Sequence, residues 1–527
     1  DATDIKYFNM INNTDSIYSQ TIPIEYPKVG EKPSKCRVGV VNIFTGKQTW
    51  LNIPGDPQQH YIPRMEWTPN ANEIILQQLN RKQNDSKLYV CNVINNQAKV
   101  ISSEKDDAWI DVRNSWSYGN IVGWDWINEL TNFGWVSEKD GWRHIYTINK
   151  NTGAESLLTK GDYDIQKILY LDKANNLIYF TASPNNATQS YLYAVKIEDN
   201  GTAQLINPSQ LEGTHTYDIS PLGRYAFHEY SNHFTPRASE YISLPSGQPI
   251  DPKQSIATKI QPQAKTVELT TITTAEGVTM DCFIAKPKNM EVGKKYPILF
   301  FVYSEPAGTT VKDVYGVDRN RNYIGSLADD GYIYASIDGR GTPSPKGRSW
   351  RKSIYRKIGK INIHDQAEGA KALFAKYDFI DTSRVAVWGA SGGGSATLNL
   401  LFQHPEIYKT GISMAAVANQ LTYDNIYQER YMGLPQENKE DFVSGSPIAH
   451  VKNFKGNLLY IHGTGDDNVH YQNAEMLLNE MIKYNKQFTF MPYPNRSHSI
   501  SEGEGTFLHL STLYTNFLKQ HCPPGGR

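Results

Sequence analysis

A serine on a glycine-rich turn, Ser391, is the residue whose setting most clearly predicts chemistry. Val385-Ala-Val-Trp388 predicts a short buried strand, Gly389-Ala-Ser-Gly-Gly393 a sharp turn, and Ala396–Phe402 a helix. A G-x-S-x-G turn of this kind holds a serine hydroxyl above a sheet edge, where free helix N–H groups face a forming anion. The alternative is a glycine-rich turn without a catalytic role. Whether the chain also supplies an acid and a histidine for Ser391 distinguishes the two.

Two carboxylates follow a later predicted strand. Leu458-Leu-Tyr-Ile461 is an apolar run that leads into Gly463-Thr-Gly-Asp466-Asp467. In an α/β-hydrolase the acid of the catalytic triad comes after the serine in the chain, on a loop beyond a strand. Asp466 and Asp467 both fit this position, and their spacing alone does not separate them.

The histidine of such a triad must come later still, on a loop before the last helix. His509 and His521 lie in or at the end of the final predicted helix, and His470 is too close in sequence to the acid. His498 follows the predicted strand Gln487–Tyr493 within a turn-rich segment. We therefore predict that His498 is the general base that accepts the proton of Ser391.

The same chemistry needs donors for the developing oxyanion. The backbone N–H of Gly392, directly after the serine, is one candidate. Tyr303, at the end of the apolar run Tyr296–Tyr303, lies where a second donor is expected. A core tyrosine with a satisfied hydroxyl is the alternative for this residue, and spacing leaves the two open.

The elements that must position these residues fall in the second half of the chain. Nearly continuous apolar runs, typical of buried parallel strands, alternate there with helical periods such as His364–Tyr377 and Asn473–Tyr484. This alternation predicts a doubly wound, mostly parallel sheet, the α/β-hydrolase class, over residues 256–522. Residues 523–527 are expected to be a disordered or non-native tail.

The first half repeats instead. Five segments, each of roughly 50 residues, end in a similar strand, such as Leu88–Asn92 or Ile145–Asn149, and most are followed by a polar turn. Such a period predicts the blades of an all-β propeller over residues 1–255. A β-sandwich array is the structural alternative. Five units, the first incomplete, are few for a closed ring, so we expect the propeller to be partial in this chain.

Composition excludes several functions. Charged residues make up 20% of the 527 residues and the net charge is −1, so no basic field predicts nucleic-acid binding. The four cysteines have no metal-ligand spacing, and no metal or other cofactor is expected. No apolar run approaches the length of a membrane span.

Taken together, the motifs closely resemble the prolyl oligopeptidase family of serine peptidases, and most of all its members that release dipeptides. The resemblance is specific over the second half of the chain. Its segments are Val302–Pro306, Asp338–Gly341, His364–Gln366, the Ser391 turn, Tyr423–Gly433 and His462–His470. The repeats resemble the later blades of that family's propeller more weakly.

The resemblance implies roles for several residues. It makes Asp466 rather than Asp467 the triad acid and gives Tyr303 a side-chain oxyanion role. It implies a small hydrophobic pocket for proline or alanine and a hydrogen-bond donor to a substrate carbonyl. The pocket residues are Val417, Tyr423, Tyr427 and Val469, and the donor is Asn468.

The sequence departs from the family pattern around this pocket. Gly392 stands where a tyrosine is frequent, Ala390 where a tryptophan is, and Gln420 where an aromatic residue often closes the pocket. We therefore expect a more open pocket wall beside Ser391. The adjacent glutamates that bind the substrate's amine in such relatives are also absent from this sequence. The resemblance thus implies that the N-terminal part of the propeller precedes residue 1.

The predicted function is a serine exopeptidase that releases N-terminal Xaa-Pro or Xaa-Ala dipeptides through an acyl-enzyme. Related alternatives are a prolyl tripeptidyl or an acylaminoacyl peptidase, and a non-catalytic peptide-binding relative is the alternative from another class. The expected partners are peptides with Pro or Ala at the second position, a second copy of the chain, and a separate N-terminal fragment as a further candidate. Family analogy implies a periplasmic or secreted location.

Overall fold

The computed structural model describes residues 1–112, 124, 126–127, 131–197, 204–206, 211–264 and 266–527. By its internal contacts the chain divides into two compact units. Unit 1 comprises residues 1–5, 31–261 and 345–352, and unit 2 comprises residues 6–30, 262–344 and 353–527. These units differ from a simple division after residue 255 at three places, since residues 6–30 group with the second half and residues 256–261 and 345–352 with the first.

The first two strands form an antiparallel hairpin that belongs to unit 2. They are β1 (Tyr7–Asn12) and β2 (Gln20–Glu25). The N–H of Val29, just beyond the hairpin, donates to the carbonyl oxygen of Tyr423 at 2.9 Å. On β1, Phe8 stacks on His470 with ring centroids 3.7 Å apart. Both contacts reach segments that sequence reasoning assigns to the candidate site.

Unit 1 consists of small antiparallel sheets. Its strands, sheet by sheet, are β3 (Gly39–Val41) and β4 (Gln48–Trp50); β5 (His60–Trp67), β6 (Glu73–Asn80), β7 (Asp85–Asn92) and β8 (Gln97–Lys105); β9 (Trp126–Ile127), β10 (Asn132–Ser137), β11 (His144–Asn149) and β12 (Glu155–Leu157); β13 (Ile165–Asp172), β14 (Leu177–Ala182), β15 (Tyr191–Lys196) and β16 (Gln204–Leu205); and β17 (Thr214–Ile219), β18 (Tyr225–Asn232) and β19 (Thr235–Ser243). The recurring strand that was expected to close each unit is the third strand of these larger sheets, and in three of them a fourth strand follows.

Unit 2 is built on an eight-stranded sheet in the order β20-β21-β23-β22-β24-β25-β26-β27. The strands are β20 (Val267–Thr273), β21 (Thr279–Ala285), β22 (Tyr296–Phe301), β23 (Ile333–Asp338), β24 (Ile380–Ala390), β25 (Thr410–Met414), β26 (Asn457–Gly463) and β27 (Thr489–Tyr493). The first two pair antiparallel and the six from β22 to β27 run parallel. Every residue of β23 and β25 is buried, which is why these strands appear as continuous apolar runs in the sequence.

Helices occur in both units: the α-helices Ile256–Lys259 and Gly347–Lys352 belong to unit 1, and the other described α-helices belong to unit 2. The α-helices are Ile256–Lys259, Leu327–Asp330, Gly347–Lys352, Ile361–Lys376, Gly392–Gln403, Asn425–Met432, Pro435–Gly445, Gln472–Lys483 and Thr506–His521, and the 3₁₀ turns are Pro252–Gln254, Gln420–Thr422 and Pro447–Asn453. Tyr514 and Leu518 of the last long helix pack into the core with Leu299, Ile412 and Leu459 of the sheet. The sheet's core is therefore closed on this face by the C-terminal helix.

The five C-terminal residues are paired with unit 2, contrary to the expectation of a disordered tail. The N–H of Arg527 donates to the carbonyl oxygen of Lys295 at 3.0 Å, and the reverse bond is also 3.0 Å. The Arg384 guanidinium donates to the carbonyl oxygens of Pro523 and Gly525 at 2.8 and 2.9 Å. Among the described residues, no helix has both the length and the apolar content needed to cross a bilayer.

Candidate active site

Ser391 lies on a sharp turn between β24 and the helix Gly392–Gln403. Its backbone angles, φ 58° and ψ −122°, are unusual for a non-glycine residue. The neighbouring glycines are required because a β-carbon on Gly393 would overlap the carbonyl oxygen of Val302, and one on Gly389 would overlap the backbone of Gly393. The Ser391 side chain makes no capping bond to its own helix, so its hydroxyl is available to other groups.

His498 lies between Ser391 and Asp466. Its Nε2 is 3.0 Å from the Oγ of Ser391, and its Nδ1 is 2.8 Å from Oδ2 of Asp466. The three side chains follow β24, β26 and β27, whose carboxyl ends meet at one edge of the sheet because the strands are parallel. The imidazole thus pairs with Asp466, whereas Asp467 is exposed.

Asp466 is a fully buried carboxylate with several donors. Its Oδ1 accepts the backbone N–H groups of Asn468 and Val469 at 3.0 and 2.8 Å, and His462 Nε2 is 3.3 Å from its Oδ2. Burial acts to raise the pKa of Asp466, but hydrogen bonds with His462 and His498 outweigh it and hold the pKa below the usual range. The acid is therefore ionised at neutral pH.

The loops that carry Asp466 and His498 are bonded to each other. The N–H of Gly465 donates to the carbonyl oxygen of Arg496 at 3.1 Å. The N–H of Asn495 donates to Oγ1 of Thr464 at 2.7 Å. These two bonds hold the loops together independently of the carboxylate and the imidazole that they carry.

The two predicted oxyanion donors line one cavity with Ser391. Tyr303 follows β22, and Gly392 is the first residue of the helix after Ser391, where an N–H has no partner within the helix. Burial, and after it the nearby carboxyl of Glu305, raises the pKa of Tyr303. Its phenol therefore keeps its proton at physiological pH and can donate it in a hydrogen bond.

The cavity beside Ser391 contains most of the predicted pocket residues. Val417, Tyr423 and Tyr427 are part of its lining. Asn468 lies next to them, because its Oδ1 accepts the hydroxyl of Tyr423 at 2.9 Å. Val469 is completely buried and is not among the lining residues.

At the three positions where the sequence departs from the family pattern, the pocket wall is not open, contrary to the expectation. A β-carbon on Gly392 would lie 2.8 Å from Cδ of Glu305, so the Glu305 side chain fills the space next to this glycine. Gln420 is also buried in the lining, where its amide donates to the carbonyl oxygen of Ile358 at 3.1 Å. Ala390 is half-buried at the end of β24. The pocket wall beside Ser391 is therefore formed in part by the polar side chains of Glu305 and Gln420.

Sequence reasoning missed two contributors. Glu305 stands in a motif that was noticed but received no role, and its signal is a charged residue two positions after Tyr303 at the end of an apolar strand. The segment after the N-terminal hairpin is the other: the Tyr26 hydroxyl donates to the carbonyl oxygen of Asn468 at 2.9 Å. The hairpin before this segment alternates in the same way as the strand pairs of the following blades, so no sequence signal separated the hairpin from them.

Comparison with known proteins places this geometry in a family. The model of the "Prolyl oligopeptidase family" matches residues 319–524, and the model of the "Dipeptidyl peptidase IV (DPP IV) N-terminal region" matches residues 1–237. Residues 319–524 are therefore similar to the prolyl oligopeptidase family, and residues 1–237 to the N-terminal region of dipeptidyl peptidase IV. The predicted resemblance is thereby confirmed.

Among curated relatives, dipeptidyl peptidase 4 of Trichophyton rubrum is 29% identical over 489 residues, which are 91% of this chain and 62% of that protein. The chain therefore spans less than two thirds of the length of such relatives. A probable dipeptidyl peptidase 4 of Aspergillus clavatus is 28% identical over 476 residues, 88% of this chain and 61% of that protein.

Solved structures give the same fold. The crystal structure of Porphyromonas gingivalis dipeptidyl peptidase 4 matches with a TM-score of 0.87 and 29% identity, over 98% of this chain and 71% of that one. That of a putative dipeptidyl aminopeptidase IV from Bacteroides ovatus matches with a TM-score of 0.88 and 25% identity, over 99% of this chain and 74% of that one. The predicted α/β-hydrolase domain with propeller blades before it is confirmed.

Proposed function

We propose that this chain is a serine exopeptidase that releases N-terminal dipeptides with proline or alanine in the second position. The observation that carries this proposal is the position of His498, 3.0 Å from the Ser391 hydroxyl and 2.8 Å from the Asp466 carboxylate. A serine hydroxyl is a poor nucleophile until a base removes its proton, and this arrangement supplies the base and a group that orients it.

In the first half of the reaction, Oγ of Ser391 attacks the carbonyl carbon of the second substrate residue while Nε2 of His498 takes the hydroxyl proton. Asp466 holds the proton on Nδ1 and stabilises the imidazolium that forms. When the tetrahedral intermediate collapses, the C–N bond breaks and His498 gives its proton to the leaving amine. Water then hydrolyses the acyl-enzyme with His498 again acting as the base.

The negative charge on the carbonyl oxygen is stabilised by two donors in this proposal. Gly392 and Tyr303 both line the cavity next to Ser391, where the Gly392 N–H and the Tyr303 hydroxyl would donate to the oxyanion as its charge develops. A protonated phenol suits this role, since a tyrosinate would repel the oxyanion.

The dipeptide length and the residue preference are supported by the relatives. The relatives in Trichophyton, Aspergillus and Porphyromonas carry the name dipeptidyl peptidase 4. Tyr423 and Tyr427, whose rings meet edge to face with centroids 5.6 Å apart, offer an aromatic wall to a small residue. The homodimer and the location outside the cytoplasm that the family analogy implies stay predictions.

The test measures hydrolysis of the p-nitroanilides of Gly-Pro and Ala-Pro by the purified 527-residue chain and by Ser391→Ala. We expect release of p-nitroaniline by the unmodified chain and a loss of at least ~10⁴-fold in kcat for the variant, because the nucleophile is gone. Ser499→Ala, an exposed serine on the loop of His498, is the matched control and should retain activity.

Three outcomes would contradict the proposal. Activity that survives Ser391→Ala would exclude the mechanism. Cleavage restricted to tripeptidyl or N-acylated substrates would move the function to the related alternatives. Binding of peptides without turnover of any substrate would indicate a non-catalytic relative.

A further inference from the structure

Glu305 is a buried acid that lines the same cavity as Ser391. Its Oε2 accepts the hydroxyl of Tyr427 at 2.8 Å. In the described part of the chain no lysine, arginine or histidine forms an ion pair with it. Burial raises the pKa of Glu305 to about 7, and the hydrogen bond from Tyr427 only partly opposes this shift. A carboxyl group in this position has capacity for a further donor.

The titratable groups that face Glu305 are neutral phenols. Tyr303 comes from its own loop, Tyr423 from the segment before the helix Asn425–Met432, and Tyr427 from that helix. Burial raises the pKa of each of the three, so none becomes charged at physiological pH. From the helix Gly392–Gln403, Gly392 lies next to the Glu305 carboxyl, and the helix residues that line the cavity carry no titratable side chain. The charge of the cavity therefore depends on Glu305 itself.

Glu305 also lies where a substrate side chain must pass. Its Cδ and Oε2 would each be 2.8 Å from a β-carbon on Gly392, the residue directly after the candidate nucleophile. In the reaction proposed above, the side chain of the residue whose carbonyl is attacked, P1, enters the cavity beside Ser391. That side chain meets the Glu305 carboxyl as well as the aromatic rings of Tyr423 and Tyr427.

The size of the cavity limits which side chains can do so. Its free volume is about 40 Å³, which is room for roughly three water-sized groups. A lysine or arginine is too long for this space, although its charge would suit a carboxylate. A serine or threonine fits, and its hydroxyl can donate to a carboxylate oxygen.

We propose that Glu305 directs this site to P1 residues with a small hydroxyl side chain, serine or threonine, in addition to proline and alanine. This inference rests on the proposed function and names its substrate class further. A site that is built to hydrogen-bond a substrate group discriminates against the analogue that lacks it, because its own buried polar atom is then left unpaired. Serine against alanine isolates this one hydroxyl.

The proposal has a pH dependence whose sign follows from the two forms of Glu305. Below about pH 7 the carboxyl is neutral and tolerates an alanine methyl group; above it the carboxyl is ionised and favours a donor. The ratio of kcat/KM for a Gly-Ser amide to that for a Gly-Ala amide should therefore rise with pH. Ionisations that affect both substrates equally, such as that of the general base, cancel in this ratio.

The experiment measures this ratio for Gly-Ser and Gly-Ala p-nitroanilides between about pH 6 and pH 9. In the unmodified chain we expect a rise of about tenfold with its midpoint near 7, the pKa of Glu305. In Glu305→Gln, which keeps the size of the side chain and has no charge to gain, the ratio should be independent of pH. Glu440→Gln, an exposed glutamate of unit 2, is the matched control and should behave as the unmodified chain does.

The profile of the unmodified chain requires no variant, so the test stands even where Glu305→Gln fails to fold. A flat ratio in the unmodified chain, or a rising ratio that persists in Glu305→Gln, would overturn the inference. Both results leave the proposed function intact as long as Gly-Ala is released. Release of no dipeptide from any amide would overturn the proposed function and the inference with it.

Discussion

Two buried carboxyl groups belong to the candidate site, and their environments differ. Asp466, with 0% exposure, accepts two backbone N–H groups and contacts two imidazoles. Glu305, with 8% exposure, accepts one phenol. The pKa of Asp466 is held below its usual range, whereas burial raises that of Glu305 to about 7. The number of donors, rather than burial, decides which group is charged.

The difference between the two carboxyl groups follows from the donors that their loops supply. A carboxylate that must hold an imidazole in one tautomer has to stay ionised, and the loop from Gly463 to His470 supplies the donors for this. The loop from Tyr303 to Pro306 supplies no such set to Glu305, so its charge responds to whatever enters the cavity. Unit 1 shows a third arrangement, in which the buried acids Glu138 and Asp164 both pair with Arg351, and Lys352 supplies a second positive charge to Glu138. There the pKa of Asp164, which burial alone would raise, is lowered below its usual range chiefly by the guanidinium.

The largest expected effect comes from removing the charge of Asp466. Asp466→Asn preserves the shape of the side chain but removes the charge and permits the wrong imidazole tautomer. We expect kcat on Ala-Pro p-nitroanilide to fall by about 10⁴-fold with little change in KM. Glu305→Gln, the same amide substitution at the other carboxyl, should leave kcat on this substrate within about tenfold at pH 6. Comparable losses in the two variants would remove the distinction between the groups.

A smaller effect is expected on stability, from the packing of the Glu305 side chain against Gly392. Gly392→Ala places a methyl group 2.8 Å from Cδ of Glu305. We expect the free energy of unfolding to fall by about 1–3 kcal/mol from this overpacking, and Glu305→Ala in the same chain to relieve part of the loss. Denaturant unfolding of the two single variants and the double variant measures the coupling.

The control for this cycle is Gly134→Ala, because the nearest atom to a β-carbon there is 3.9 Å away. It should show no coupling to Glu305→Ala. Additive losses for Gly392→Ala and Glu305→Ala would mean that the carboxyl does not fill the space beside the glycine. The smallest expected effect is the roughly tenfold pH-dependent preference between Gly-Ser and Gly-Ala described above.

Much of the fold of unit 2 could be predicted because its strands are buried on both faces. The apolar run Leu458–Ile461 lies within the strand Asn457–Gly463, and the strand Tyr296–Phe301 is contained in the run Tyr296–Tyr303. The chain order of Ser391, an acid and His498 follows from the same elements. The choice between Asp466 and Asp467 did not follow from these elements. The family resemblance implied Asp466, and the loop geometry separates its buried carboxylate from the exposed one of Asp467.

Other features depend on contacts that the sequence does not encode locally. Glu305 is a charged residue at a strand end, which ordinarily indicates a solvated side chain, and its hydrogen-bond partner is 122 residues away. The hairpin from Tyr7 to Glu25 has the alternation of a blade strand pair. Its contacts with unit 2, such as Phe8 on His470 and the bonds of Tyr26 and Val29 to Asn468 and Tyr423, are what separate it from the blades. Alternation predicts that a strand exists, but not which sheet or loop it contacts.

The central claim is that His498 and Asp466 activate Ser391, and covalent labelling tests it most directly. The chain is treated with diisopropyl fluorophosphate, digested, and its peptides are mapped by mass spectrometry. A single adduct on Ser391, formed in parallel with the loss of amidase activity and strongly slowed in Asp466→Asn, is the predicted result. Full inactivation with the adduct on another residue, or labelling of Ser391 at the same rate in Asp466→Asn, would contradict the account.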